Sequence, residues 1–261
     1  MGARIVVDEL TVRYRLKSGD LINALGPISL EVENGERVAL LGPSGCGKTT
    51  MLKVTAGLLR PSSGRVLMDG EDPSLPRRRG EIGVVFQKPT LLPWRSVLEN
   101  VLLPLRIRGD VDGRLERMAI DLLHAIGLKG FERSYPNELS IGMQQRCALA
   151  RAMIQSPKVL LLDEPFASLD EMNRETLNFD LLRLCEPNGV TALLITHNVY
   201  EAVLFSDRVI VLSERPGRKV TEVRVDLGKE RDPRVLESER FYEHIIRVRK
   251  ALRLSRLEVA G

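Results

Sequence analysis

Gly42-Pro43-Ser44-Gly45-Cys46-Gly47-Lys48-Thr49 has the residue types and spacing of a phosphate-binding loop, with Thr50 directly after it. Its glycines let successive backbone N–H groups turn inward around phosphate oxygens, and a following helix N-terminus adds partial positive charge. Lys48 would hold the terminal phosphates as a compact cation, and Thr49 would ligate Mg²⁺. Leu160-Leu161-Leu162-Asp163-Glu164 reads as a buried strand ending in two acids. The first acid of such a pair holds the metal of a bound nucleotide, and the second stands where a carboxylate polarises an attacking water. Gln87 follows the apolar run Val84-Val85-Phe86, where a neutral amide reaches metal or water. His197 follows Leu193-Leu194-Ile195-Thr196, where an imidazole hydrogen-bonds a terminal phosphate and stabilises developing charge. The chemistry these residue types would share is attack on the terminal phosphate of a bound nucleotide.

Elements must bring them together. Val38 to Leu41 is a short apolar strand feeding the glycine loop, and a helix is expected from Lys48 to about Ala56, with Gly57 and Pro61 as stop signals. Strands are expected at Ile5–Val7, Leu10–Tyr14, Ile28–Val32, Arg65–Met68, Ile82–Phe86, Val159–Leu162, Ala192–Ile195 and Val209–Leu212, and Asn34-Gly35 marks a turn. Helices between the later strands imply an α/β fold with a mainly parallel sheet covered on both faces. The phosphate-handling residues then all fall at the C-terminal strand edge, where open parallel sheets bind ligands. From Pro89 to Ile154 apolar residues recur at helical spacing, so residues 89–154 read as a helical subdomain inserted in a nucleotide-binding body of residues 5–233. Ser140 is a good N-cap for its last helix. Residues 234–261 read as a helical tail, with Phe241, Ile245, Val248 and Leu252 on one face.

Composition bounds the partners. The chain has 261 residues, 43% hydrophobic and 28% charged, enough for a sizeable core. It shows no apolar run near the ~18 residues of a membrane span, and its first residues lack a signal-peptide core. The three cysteines are far apart without metal or disulfide spacing, which fits a reducing cytoplasm. Cys46, inside the loop and beside positive charge, is expected to favour the thiolate. The net charge is +4, with basic clusters at Arg77-Arg78-Arg79 and Arg247 to Arg256. These read first as solvated surface and second as contacts to anionic headgroups beside a membrane partner. With 4% aromatic residues and none interleaved in the clusters, no nucleic-acid partner is expected.

Over residues 5 to 230 these motifs, in this order, resemble an ATP-binding cassette (ABC) ATPase. The resemblance implies a P-loop NTPase fold with an N-terminal antiparallel β subdomain and an inserted helical subdomain. It identifies Leu139-Ser140-Ile141-Gly142-Met143-Gln144-Gln145 as the signature helix and Ser168-Leu169-Asp170 as the D-loop. Ser140, Gly142, Gln144 and Asp170 would then contact ATP held by a second copy in a head-to-tail dimer, and Tyr14 would stack on adenine. Ile141 departs from the family's usual glycine; a β-branched residue resists φ > 0, but the first turn of a helix does not demand it. Leu91 to Val101 and Leu212 to Arg218 are similar to importers of the nitrate, sulfonate and taurine type. That implies a peripheral subunit at the cytoplasmic face of the membrane, a separate permease docking near Leu91–Trp94, and an external solute-binding protein. A soluble ABC ATPase acting on nucleic acid and a P-loop kinase are the alternatives. The first would carry coiled-coil or zinc insertions absent here, and the second leaves the signature helix unexplained.

Overall fold

The computed structural model describes residues 2–109, 111–228 and 230–257; Met1 and the last four residues of the expected 234–261 tail lie outside the described residues. β1 (Ile5–Arg15) pairs antiparallel with β2 (Leu21–Val32), so the first two expected strand runs are one continuous strand. β3 (Arg37–Leu41) leads through the glycine loop into α1 (Lys48–Thr55). β4 (Ser63–Met68) returns to pair antiparallel with β1, giving a three-stranded sheet of order β2-β1-β4. After α2 (Ser74–Arg78) comes β5 (Ile82–Val85). Three helices follow: α3 (Val97–Arg108), α4 (Gly113–Ala125) and α5 (Ile141–Met153). Then β6 (Val159–Asp163), α6 (Glu171–Cys185), β7 (Thr191–Thr196), α7 (Val199–Phe205) and β8 (Arg208–Leu212) alternate. β9 (Lys219–Arg224) and α8 (Glu239–Leu257) complete the chain.

The main sheet has six strands in the order β5-β6-β7-β3-β8-β9, parallel except for β9. β3, β6 and β7 are buried along their whole length. Side chains alternate between the two faces of a strand, and each face has its own core. Ala39, Leu41, Leu160, Leu162 and Leu194 pack under α6, α7 and α8. Val38, Leu40, Leu161, Leu193 and Ile195 pack against α1 and the antiparallel sheet. A third core, including Val101, Leu123, Cys147 and Ala150, holds α3, α4 and α5 together.

β9 was not legible as a strand. It is an edge strand, largely exposed, and its Lys-Val-Thr-Glu-Val-Arg run has too few apolar residues to signal it. Among the described residues no helix is long and apolar enough to cross a membrane.

Candidate active site

β3 is apolar and central, so its C-terminal end delivers the glycine loop to the middle of the sheet edge. Gly45 and Gly47 take φ of 79° and 103°, values that side chains resist. A Cβ on Gly47 would lie 2.5 Å from the Ala24 carbonyl oxygen, so only glycine lets the loop rest on β2. Lys48 is buried, and its Nζ donates to the carbonyls of Gly42 and Pro43 at 2.8 and 2.9 Å. The ammonium therefore sits within the curve of the loop. Thr49 Oγ1 donates to Asp163 Oδ1 at 2.9 Å, joining the start of α1 to the end of β6. Burial pushes the Asp163 carboxyl up, with Glu164 adding to the rise; the Thr49 hydroxyl and two lysines oppose it. A hydroxyl and a carboxylate oxygen in contact form the hard-oxygen donor set that Mg²⁺ uses, usually with few protein ligands. Among the described residues no group of three or more His, Cys, Asp or Glu could hold a metal ion.

Glu164 leaves the strand with φ of 45°, a conformation that costs a non-glycine residue about 1–3 kcal/mol and recurs at functional sites. Its N–H donates to the Ile195 carbonyl at 2.9 Å, and its Oε2 lies 3.2 Å from His197 Nδ1. The parallel pairing of β6 with β7 creates this meeting.

A cleft of about 630 Å³ opens over these groups. Lys48, Thr49, Thr50, Gln87, Asp163 and Glu164 line it, as do Ser44, Gly45 and Gly47 of the loop. Tyr14 lines it too, its hydroxyl 3.2 Å from Thr50 Oγ1. Gly42, Pro43 and Cys46 complete the loop without lining the cleft. Cys46 corrects an expectation. Its side chain is fully buried in the core against α1, and burial pushes the thiol up despite the nearby Lys48 charge.

Ser140, Gly142, Gln144 and Asp170 lie outside this cleft. Ser140 Oγ accepts the Met143 N–H at 3.3 Å, capping α5. Gln144 Nε2 donates to the carbonyls of Pro136 and Leu139 at 2.9 and 3.2 Å, bracing the turn before the helix. Ile141 is the first residue of α5 and 53% exposed, so its β-branched side chain meets neither a positive φ nor the core. A Cβ on Gly142 would stand 3.5 Å from Leu169 Cδ2, which sets the start of α5 against the loop that leads into α6. Asp170 Oδ1 accepts the Asn173 N–H at 3.0 Å and caps α6.

Two residues at the site escaped the sequence reading. Arg215 also lines the cleft, brought there by the turn after β8. Gln145 is fully buried and donates to the Phe86 carbonyl at 3.1 Å, tying α5 to the segment that carries Gln87. An amide at a core position of an otherwise apolar helix face was the available signal.

A parallel sheet with a glycine loop, an inward lysine and a strand-end acid in contact with the loop's threonine defines a P-loop nucleotide-hydrolysing protein. The comparisons narrow the class. A family model described as ABC transporter matches residues 25–167, and the chain belongs to that family. It is an ABC transporter ATP-binding protein, an ATPase. An uncharacterized ABC transporter ATP-binding protein of Methanocaldococcus jannaschii is 42% identical over 250 residues, covering 96% of this chain and 92% of that protein. A taurine import ATP-binding protein of Roseobacter denitrificans is 42% identical, covering 87% of this chain and 85% of that one. A nitrate import ATP-binding protein of Synechococcus elongatus is 38% identical over 93% of this chain, which spans 37% of that longer protein. Among solved structures, a dimeric ATP-binding cassette in a post-hydrolysis state bound to ADP and Pi matches with TM-score 0.76 and 34% identity, covering 85% of this chain and 98% of that one.

Proposed function

We propose that this ATPase is the energy-coupling subunit of a membrane importer, peripheral at the cytoplasmic face. It would work with a separate permease and, indirectly, an external solute-binding protein of the nitrate, sulfonate or taurine type. The names of the taurine and nitrate import relatives support this assignment.

One observation carries the mechanism. Lys48, Thr49, Asp163 and Glu164 line one cleft at the sheet edge and His197 stands against Glu164 without lining it, while the capped N-terminus of α5 and the Asp170 loop lie outside that cleft. A helix N-terminus favours anions. Two copies in head-to-tail arrangement place Ser140 and Gly142 of each against the γ-phosphate bound by the other, with Gln144 bracing the turn and Asp170 crossing alongside. ATP is then the glue of the dimer. Within each site the loop N–H groups and Lys48 hold the β- and γ-phosphates. Tyr14 stacks on the adenine. Thr49 and Asp163 would hold Mg²⁺, with Gln87 placed to reach it or the attacking water, and a bound ion would supply charge neutralisation at the phosphate oxygens. Glu164 orients the water and accepts its proton as the new P–O bond forms and the bond to the ADP oxygen breaks. His197 hydrogen-bonds the γ-phosphate while charge develops.

Replacing the carboxylate by its amide tests this reading. Glu164→Gln should lower hydrolysis by about 10²–10⁴-fold and leave ATP binding intact. The variant should then run as an ATP-dependent dimer on gel filtration. Turnover near that of the unmodified chain would remove Glu164 from the mechanism; a monomer in saturating ATP would remove the sandwich.

A further inference from the structure

A chain of largely buried polar contacts joins the D-loop to the turn that carries His197. α7 carries Glu201, 4% exposed. Its Oε2 accepts the hydroxyl of Thr196, the last residue of β7 and also buried. The same Thr196 oxygen accepts the Asn198 N–H at 3.0 Å, so the backbone is pinned on both sides of His197. On its other side, Glu201 Oε1 lies 3.4 Å from Arg174 Nε on α6. A terminal nitrogen of Arg174 donates to the Leu169 carbonyl at 2.9 Å. Leu169 in turn packs where a Cβ on Gly142 would meet it, at 3.5 Å. At the far end of the chain His197 faces Glu164.

The chemistry of Glu201 makes this more than packing. A carboxylate this buried is costly unless paired and hydrogen-bonded. Burial pushes its pKa up, and the Thr196 hydroxyl and the Arg174 charge are the leading influences that oppose this. Capping does not require it, because Asn198 Oδ1 already accepts from the first N–H groups of α7. Nor is the ion pair locked: Arg174 Nε is buried and makes no aligned hydrogen bond, so the pair rests on proximity alone. A small displacement of the Leu169–Asp170 loop moves the arginine that holds the Leu169 carbonyl, and with it the charge that Glu201 sees.

We propose that Glu201 is a positioning residue for hydrolysis: through Thr196 it aims His197, and through Arg174 it makes that aim depend on the position of the D-loop. Docking of the second copy against the D-loop would thereby set His197 in the site of the first. This rests on the reading of His197 as a γ-phosphate contact and of the D-loop as facing the second copy.

The test is a double-mutant cycle on the full chain, measuring steady-state ATPase rates, ATP binding and thermal melting. Glu201→Gln keeps an acceptor for Thr196 but removes the charge opposite Arg174. It should lower kcat about tenfold with KM for ATP changed less than about twofold, since the contact matters in the transition state and not in ground-state binding. His197→Ala should lower kcat by more, about 10²-fold. Glu201→Gln combined with His197→Ala should be no slower than His197→Ala alone, because both act through one group. A double variant slowed by the product of the two single effects would overturn the proposal and leave Glu201 as a fold-stabilising residue. Should Glu201→Gln fail to fold, Arg174→Lys, which keeps the charge but loses the fork to Leu169, enters the same cycle with the same expectation. If His197→Ala alone keeps its activity, the role assigned to His197 fails first, and the cycle shows that separately.

Discussion

Gly217, in the turn between β8 and β9, supports the phosphate loop from behind. Its carbonyl accepts the Gly26 N–H at 3.0 Å, fastening the turn to β2. A Cβ added to Gly217 would stand 2.1 Å from the Cys46 carbonyl oxygen; against an ordinary contact of 3.4 Å the shortfall is 1.3 Å. The turn has little freedom to retreat. Ser213 N donates to the Arg218 carbonyl at 2.9 Å, and Ser213 Oγ accepts the Arg218 N–H at 3.0 Å. Much of the displacement must therefore fall on the loop whose N–H groups hold the phosphates. A misplacement of about 1 Å in such a site costs about 10²-fold, so Gly217→Ala should lower kcat/KM by that order and weaken nucleotide binding. The assay is steady-state ATP hydrolysis alongside binding of a fluorescent ATP analogue and a thermal melt. Gly19→Ala is the control. Gly19 has φ of 96° in the β1–β2 turn, and a Cβ there meets nothing within 4 Å. It should lose about 1–2 kcal/mol of stability from backbone strain and keep its turnover. A folded Gly217→Ala protein with unchanged kcat/KM would refute the argument that this turn sets the loop's position.

The cysteines should be inert in the native protein. All three are buried, burial pushes Cys46 up and Cys147 and Cys185 to about 12, and a maleimide at neutral pH should add mass only after unfolding. Rapid native labelling of Cys46 would contradict its placement. His244 Nε2 accepts the Asp226 N–H at 3.2 Å, which requires the neutral ring, and burial lowers its pKa from 6.5. A depressed folded value means the stabilisation is present above 6.5 and lost as pH falls toward and through the folded value. The melting temperature should therefore decline from about pH 7 to about pH 5.5, and His244→Gln should flatten that decline; equal slopes would exclude His244 as the cause. Trp94 is 71% exposed and the one tryptophan, so its emission in the isolated subunit should be that of a solvated indole, open to acrylamide. Adding the permease should shift and shield it; an unchanged spectrum would argue against docking there.

Much of this protein was legible along the chain because its chemistry is local. The phosphate loop needs glycines, lysine and threonine in fixed order, since consecutive backbone groups wrap one ligand. The strands beneath it are buried on both faces, so they read as unbroken apolar runs such as Val38–Leu41 and Leu160–Leu162. Ser140 as a cap and Ile141 as a tolerated first-turn residue followed from local helix geometry. Tertiary structure decided what depends on distance between segments. It turned the Cys46 side chain into the core, where lost hydration outweighs nearby positive charge. It joined Thr49 to Asp163 and Glu164 to His197 through strand order, across separations that no local pattern records. It also hid Gln145, Arg174 and Glu201 from the sequence reading. A polar residue on a helix looks solvated until packing buries it, as it does Gln145 and Glu201, or pairs it, as it does Arg174, and its partners are then chosen by the fold rather than by its neighbours in the chain.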